Sequence, residues 1–154
     1  MKLYLVQHGD AVSKDRDRNR PLSDKGLDDV RKIALWLGGL DLHVRRVLHS
    51  GKTRARQTAE LFAGEIASDW EIEAIAGIDP MDPIEPFMSM LEAWTEDVLV
   101  VGHLPFMAKL VSRLVCEGAT RPVVAYQPGS VVCLGKEADD RWVIVWMMRP
   151  ELLS

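Results

Sequence analysis

The sequence predicts a single-domain, three-layer α/β/α protein built on a mostly parallel sheet with an antiparallel edge strand. Two patterns predict it. Short runs rich in Val, Ile and Leu alternate along the chain with segments whose apolar residues recur at helical spacing. The last two strand-like runs are separated only by the polar stretch "KEADDR". Alternation implies right-handed crossovers that lay helices on both faces of a parallel sheet. A connection of hairpin length makes the final pair antiparallel. The chain has 154 residues, enough to bury a core of its own as one domain over 1–154, with no repeat and no interdomain linker.

Strands are expected at "KLYLVQ" (2–7), "RRVLH" (45–49), "EIEAI" (71–75), "VLVVG" (98–102), "SVVCLG" (130–135) and "WVIVWMM" (142–148). Between them lie four helical stripes. Leu27, Val30, Ala34 and Leu37 form the first, and Ala55, Ala59, Phe62 and Ile66 the second. Ile84, Phe87, Leu91 and Trp94 form the third, and Phe106, Leu110 and Leu114 the fourth, with Pro105 at the first helical position. The five Trp and seven Met follow these stripes and are read as core.

With 47% hydrophobic and 27% charged residues the composition is that of a globular protein. A net charge of -4 argues against a nucleic-acid partner, since the phosphate backbone requires a basic surface, although a local basic pocket is compatible with it. Cys116 and Cys133 both lie in apolar runs with no CxxC spacing, and are expected as buried thiols in a reducing compartment. Polar Gln7 and His8 interrupt the first apolar run, leaving neither a signal-peptide core nor a spanning segment. The expectation is a cytoplasmic protein that does not engage a membrane.

Three of the expected strands stop on conspicuous polar residues: His8, His49-Ser50 and His103. In a parallel sheet those ends share one edge, where open α/β sheets collect ligands. "SGKTRARQTAE" (50–60) leads from Ser50 into a helix with Arg54 in its first turn and with Gln57 and Thr58 on Arg54's face. A helix start supplies free N–H groups and the positive end of the dipole, and the guanidinium adds a planar fork suited to phosphate oxygens. "VVGHLPF" (100–106) repeats the design, with Gly102 before His103. Each feature alone also has a structural reading: His8 satisfying a turn, His103 capping a helix, Arg54 on a solvated helix start. Together they favour an anion pocket. The four His show no HxxxH or HxH spacing, so a zinc site is not expected, and neither a P-loop nor a GxSxG elbow is present. The charge-dense "SKDRDRNRP" (13–21) reads as a solvated loop that could also wall the pocket.

With His8-Gly9, Ser50 and Arg54 in "SGKTRARQTA", Gly102-His103-Leu104-Pro105, and "RPLSDKG" (20–26), the chain resembles the histidine phosphatase superfamily over nearly its whole length. Within it, the resemblance is to the short phosphohistidine phosphatases of the SixA type. It implies a phosphoglycerate mutase-like fold and a two-step phosphoryl transfer with His8 as nucleophile. Arg54 and His103 would ligate the phosphoryl oxygens, and Gln7, Gly9, Arg20, Ser50 and Gln57 would surround the substrate. It implies no metal and no cofactor, and a phosphorylated protein partner resembling a phosphotransfer domain, met by a monomer.

Two departures bear on this expectation. The superfamily usually has Arg where this chain has Gln7, which exchanges a charge-assisted bond for a neutral one at a cost of roughly 1–2 kcal/mol, about tenfold in rate. Arg20, or less readily Lys52, would restore the charge. In "AIAGIDPMDP" the position aligned with the proton donor of the larger branches is Gly77, while Asp79 and Asp82 stand in turn-forming Asp-Pro pairs. A missing acid costs a P–N substrate less than an alkyl phosphate, because imidazole is readily protonated as it leaves. The alternatives are a small-molecule phosphomonoesterase using Asp79 or Asp82 as acid, and a non-catalytic phosphate-binding module in which Gln7 marks lost chemistry.

Overall fold

The computed structural model describes residues 1–66 and 71–154. The chain runs β1 (Lys2–Gln7), α1 (Asp24–Gly38), β2 (Arg46–His49), α2 (Thr53–Ile66), β3 (Glu71–Ala74), α3 (Glu85–Leu91), β4 (Val98–Gly102), α4 (Phe106–Val115), β5 (Val131–Lys136) and β6 (Trp142–Met148). A short 3-10 turn, Pro150–Leu152, follows. The six strands form one sheet in the order β3-β2-β4-β1-β5-β6. β3, β2, β4 and β1 are mutually parallel, whereas β5 runs antiparallel to both β1 and β6. The fold is the expected mixed α/β sheet, with the antiparallel part extending inward to β1.

Strand alternation divides the apolar residues between two layers. Tyr4, Val6, Leu99 and Val101 face one side, where they pack with Val30, Ile33 and Leu37 of α1 and Ala59 and Phe62 of α2. Leu3, Leu5, Leu48 and Val100 face the other, against Phe87 of α3 and Phe106, Met107 and Leu110 of α4. Each central strand is buried on both faces, which is why β1 and β4 read as unbroken apolar runs.

Several expectations need correcting. Cys133 is buried, but Cys116 is exposed, because α4 ends at Val115 and the extended backbone of Cys116 carries the chain off the apolar stripe. Met81 is 78% exposed and Met90 is exposed as well, since the turn before α3 and that helix's outer face meet solvent. Trp36, Trp94, Trp142 and Trp146 are half-buried at the margins of the two layers, and Trp70 lies outside the described residues. Trp94 sits beyond the end of α3 and still packs edge-on against Phe87, at 5.6 Å between ring centroids. Pro105 caps α4 from outside, leaving Phe106 as its first residue. Among the described residues no helix is long and apolar enough to cross a membrane.

Parallel register sets the site. Gln7 pairs with Gly102, and His49 with Val101. The residues that follow, His8, Ser50 and His103, therefore leave the sheet side by side at its carboxyl edge.

Candidate active site

His8 continues the ladder for one more bond, its N–H donating to Gly102 O at 3.0 Å, before the chain turns at Gly9. That turn brings Gly9 O within 2.7 Å of His8 Nδ1. A carbonyl can only accept, so the Nδ1 proton is fixed there and the Nε2 lone pair is left available. Glycine is required at position 9, because a Cβ would stand 2.6 Å from Val30 Cγ2 of α1. The Gly9 N–H donates to Thr58 Oγ1 at 3.1 Å, and the same hydroxyl donates to Arg54 O at 2.8 Å. Thr58, fully buried on α2, thus ties the His8 turn to the helix turn that carries Arg54.

Arg54 reaches back across the site, its Nε donating to His8 Nε2 at 3.3 Å. The lone pair released by Gly9 is therefore directed at a guanidinium. His103, 1% exposed, completes the group: its ring centroid is 4.9 Å from that of His8, and its Nε2 lies 2.6 Å from Ser50 Oγ. Ser50 Oγ also accepts from Lys52 N–H at 3.3 Å, while His103 Nδ1 is buried without a partner. Both imidazoles are held neutral at neutral pH. Burial pushes His8 down to about 4, with the charges of Arg54 and Arg20 adding to the shift and the Gly9 carbonyl opposing it. His103 is pushed down to about 3 by burial first, and then by His8, Arg54 and Lys52. Arg54 is itself lowered by burial and by Arg20, with Asp79 acting the other way.

The "RPLSDKG" segment frames this group. Ser23 caps α1 by accepting from Gly26 N–H at 3.0 Å, and its hydroxyl donates to Asp10 Oδ2 at 2.6 Å. Gly26 is needed because a Cβ there would overlap the Asp10 carbonyl. Leu22 N–H donates to Gln57 Oε1 at 2.7 Å, so the Gln57 carbonyl holds this loop. Arg20 adopts φ 46°, unusual for a side chain of its size, and its Nε donates to Val12 O at 3.1 Å. It remains close enough to bear on the charge of both site histidines.

Gln7 is 8% exposed, lies on the same sheet face as Leu3 and Leu5, and leaves its Oε1 buried without a partner. His49 turns away from the group and accepts from Gly51 N–H at 3.0 Å, buttressing the loop before α2. Asp79 and Asp82 close a turn, with Asp79 N–H donating to Asp82 Oδ2 at 2.8 Å. Asp79 also reaches Lys52 Nζ at 3.9 Å, which puts one carboxylate on the rim. Gly77, at φ 88°, has nothing within 4 Å of where a side chain would begin. Among the described residues no three His, Cys, Asp or Glu come together as a metal cluster. Sequence reasoning set Thr58 on Arg54's face and Ser23 within "RPLSDKG" but gave neither a positioning role. The signal for Thr58 was a hydroxyl among alanines four residues after Arg54.

The profile of the Histidine phosphatase superfamily (branch 1) matches residues 3–78. Phosphohistidine phosphatase SixA of Escherichia coli (strain K12) is 30% identical over 155 residues, spanning 97% of this chain and 94% of that protein. The chain belongs to the histidine phosphatase superfamily. An uncharacterized protein of Picosynechococcus sp. is 34% identical over 113 residues, covering 68% of this chain and 67% of its own length. The solved structure of the protein histidine phosphatase SixA complexed with tungstate superposes with a TM-score of 0.88 at 29% identity, over 100% of both chains. This member of the superfamily is therefore a SixA-like hydrolase with a phosphoglycerate mutase-like fold.

Proposed function

We propose that this phosphatase hydrolyses phosphohistidine on a protein partner of the phosphotransfer-domain kind, in the cytoplasm, as a monomer and without a metal. The observation that carries the reading is the His8 imidazole, whose proton is committed to Gly9 O while Nε2 faces Arg54 beside His103. His8 Nε2 attacks phosphorus, the P–N bond to the substrate imidazole breaks, and that imidazole leaves with a proton from water. Arg54 passes from Nε2 to a phosphoryl oxygen. His103 donates a hydrogen bond to a second oxygen, and Gln7 and Arg20 sit within the same oxyanion environment. Water then attacks the phosphohistidine intermediate, inorganic phosphate departs, and the Nε2 lone pair is restored.

A neutral nucleophile suits this chemistry, and burial provides one across the physiological range. The open space at Gly77 supports a leaving group that needs no enzymatic acid. In the test, a phosphohistidine-bearing phosphotransfer domain is incubated with the wild type and with His8→Ala. A quenched reaction is then mapped for acid-labile phosphate. Loss of turnover in the variant and label on His8 are expected. Equal rates, or label elsewhere, would remove the proposal. Rapid turnover of sugar or alkyl phosphates that vanishes in Asp79→Ala would favour the phosphomonoesterase reading.

A further inference from the structure

Arg54 also borders a concavity of about 370 Å3, whose wall carries Lys14, Arg18, Arg20 and Lys52 as well. Arg54, bonded to His8 Nε2, and Arg20 tie this concavity to the histidine pair. The charge-dense loop alternates in sign, yet the fold sorts it. Lys14 and Arg18, four residues apart, line the cleft, while Asp15, Arg16 and Asp17 do not. Compensation is sparse. Among the described residues neither Lys14 nor Arg18 has an ion-pair partner, and Lys52 reaches only Asp79, at 3.9 Å. In a chain of net charge -4, five cations gathered on one wall beside a phosphoryl pocket repel one another until an anion neutralises them.

We infer that this cleft is the docking surface for acidic side chains flanking the phosphohistidine of a partner protein. The inference rests on the phosphohistidine reading above and adds the partner's character to it. A phosphoryl group seated between His8 and Arg54 leaves the cleft open alongside, at a size that takes one or two carboxylate side chains. A surface of this kind acts through association rate and choice of partner, because exposed charges steer encounter more than they add affinity. Lys14 and Arg18 are exposed, so they can be changed without touching the core.

The test uses two fluorescein-labelled phosphohistidine peptides of equal length, one flanked by Asp and Glu and one by Ser and Asn. Affinity is read by anisotropy on the His8→Ala protein, and turnover on the His8 protein. The acidic peptide is expected to bind about tenfold more tightly at low ionic strength, with the gap closing as salt is added. Lys14→Glu with Arg18→Glu should erase that preference and leave phosphoramidate turnover unchanged. Arg16→Glu, a charge reversal of the same kind at one position outside the cleft, should leave most of the preference in place. Equal affinities, a preference that survives the double reversal, or an equal loss with Arg16→Glu would overturn the inference. Selective binding with no turnover of either peptide would leave the docking surface standing and remove the catalytic reading instead.

Discussion

Thr58→Val isolates the link between the His8 turn and the helix that carries Arg54. Valine is nearly isosteric with threonine, so the fully buried site keeps its packing and loses only the hydroxyl. Two hydrogen bonds disappear with unequal consequences. The Arg54 carbonyl, 2.8 Å from Oγ1, belongs to the α2 ladder and keeps its backbone partner. The Gly9 N–H, 3.1 Å from Oγ1, is left buried without an acceptor, which costs about 1–3 kcal/mol. For a chain of this length each kcal/mol lowers Tm by about 2–4 °C. The freed turn also carries the carbonyl that fixes the His8 tautomer, so kcat/KM should fall about tenfold, with KM nearly unchanged. Thermal denaturation and steady-state kinetics on phosphoramidate read both effects, and Thr58→Ser should recover most of each. A Thr58→Val protein as stable and as active as the parent would refute the link.

Three further outcomes are expected. His8 and His103 have pKa values near 4 and 3 when folded and the ordinary 6.5 when unfolded, so the unfolded chain binds more protons in between. Stability should decline as pH falls from 6.5 through 4, and His8→Ala should flatten the decline in urea titrations. An imidazole NMR titration placing the His8 midpoint at 6.5 would contradict the burial argument. Gly26→Ala should lower Tm sharply, because its Cβ meets the Asp10 backbone, whereas Gly64→Ala, with nothing within 4 Å, should gain about 0.5–1 kcal/mol from helix propensity. Equal effects of the two substitutions would mean that the Asp10 turn yields easily. Gln7→Arg should tighten vanadate binding about tenfold by restoring a charge-assisted contact, and unchanged binding by calorimetry would place Gln7 outside the oxyanion environment.

The sheet was legible because its cause is periodic. Runs such as "VLVVG" state burial on both faces, and the polar residues ending β1, β2 and β4 could only meet if those strands were parallel neighbours. What stayed hidden depends on pairings distant in sequence. Nothing in "RQTAE" says that Thr58 will meet the backbone of Gly9, and nothing near Gln57 says that its carbonyl will hold Leu22. Local pattern also misjudged the ends of elements. Cys116 follows an apolar run yet lies past the last turn of α4, where the backbone leaves the helix. The acidic Asp-Pro pairs were readable as a turn, because proline after aspartate limits the backbone whatever surrounds it.

His8 and His103 hang from adjacent central strands locked in register, whereas Lys14 and Arg18 ride on an exposed connection held by a few backbone bonds. The two imidazoles are thus anchored to the stiffest part of the molecule, and the residues that would choose a guest are carried by a replaceable segment. A graft of residues 13–19 from a differently charged relative should therefore retarget the enzyme while its chemistry stays as it was.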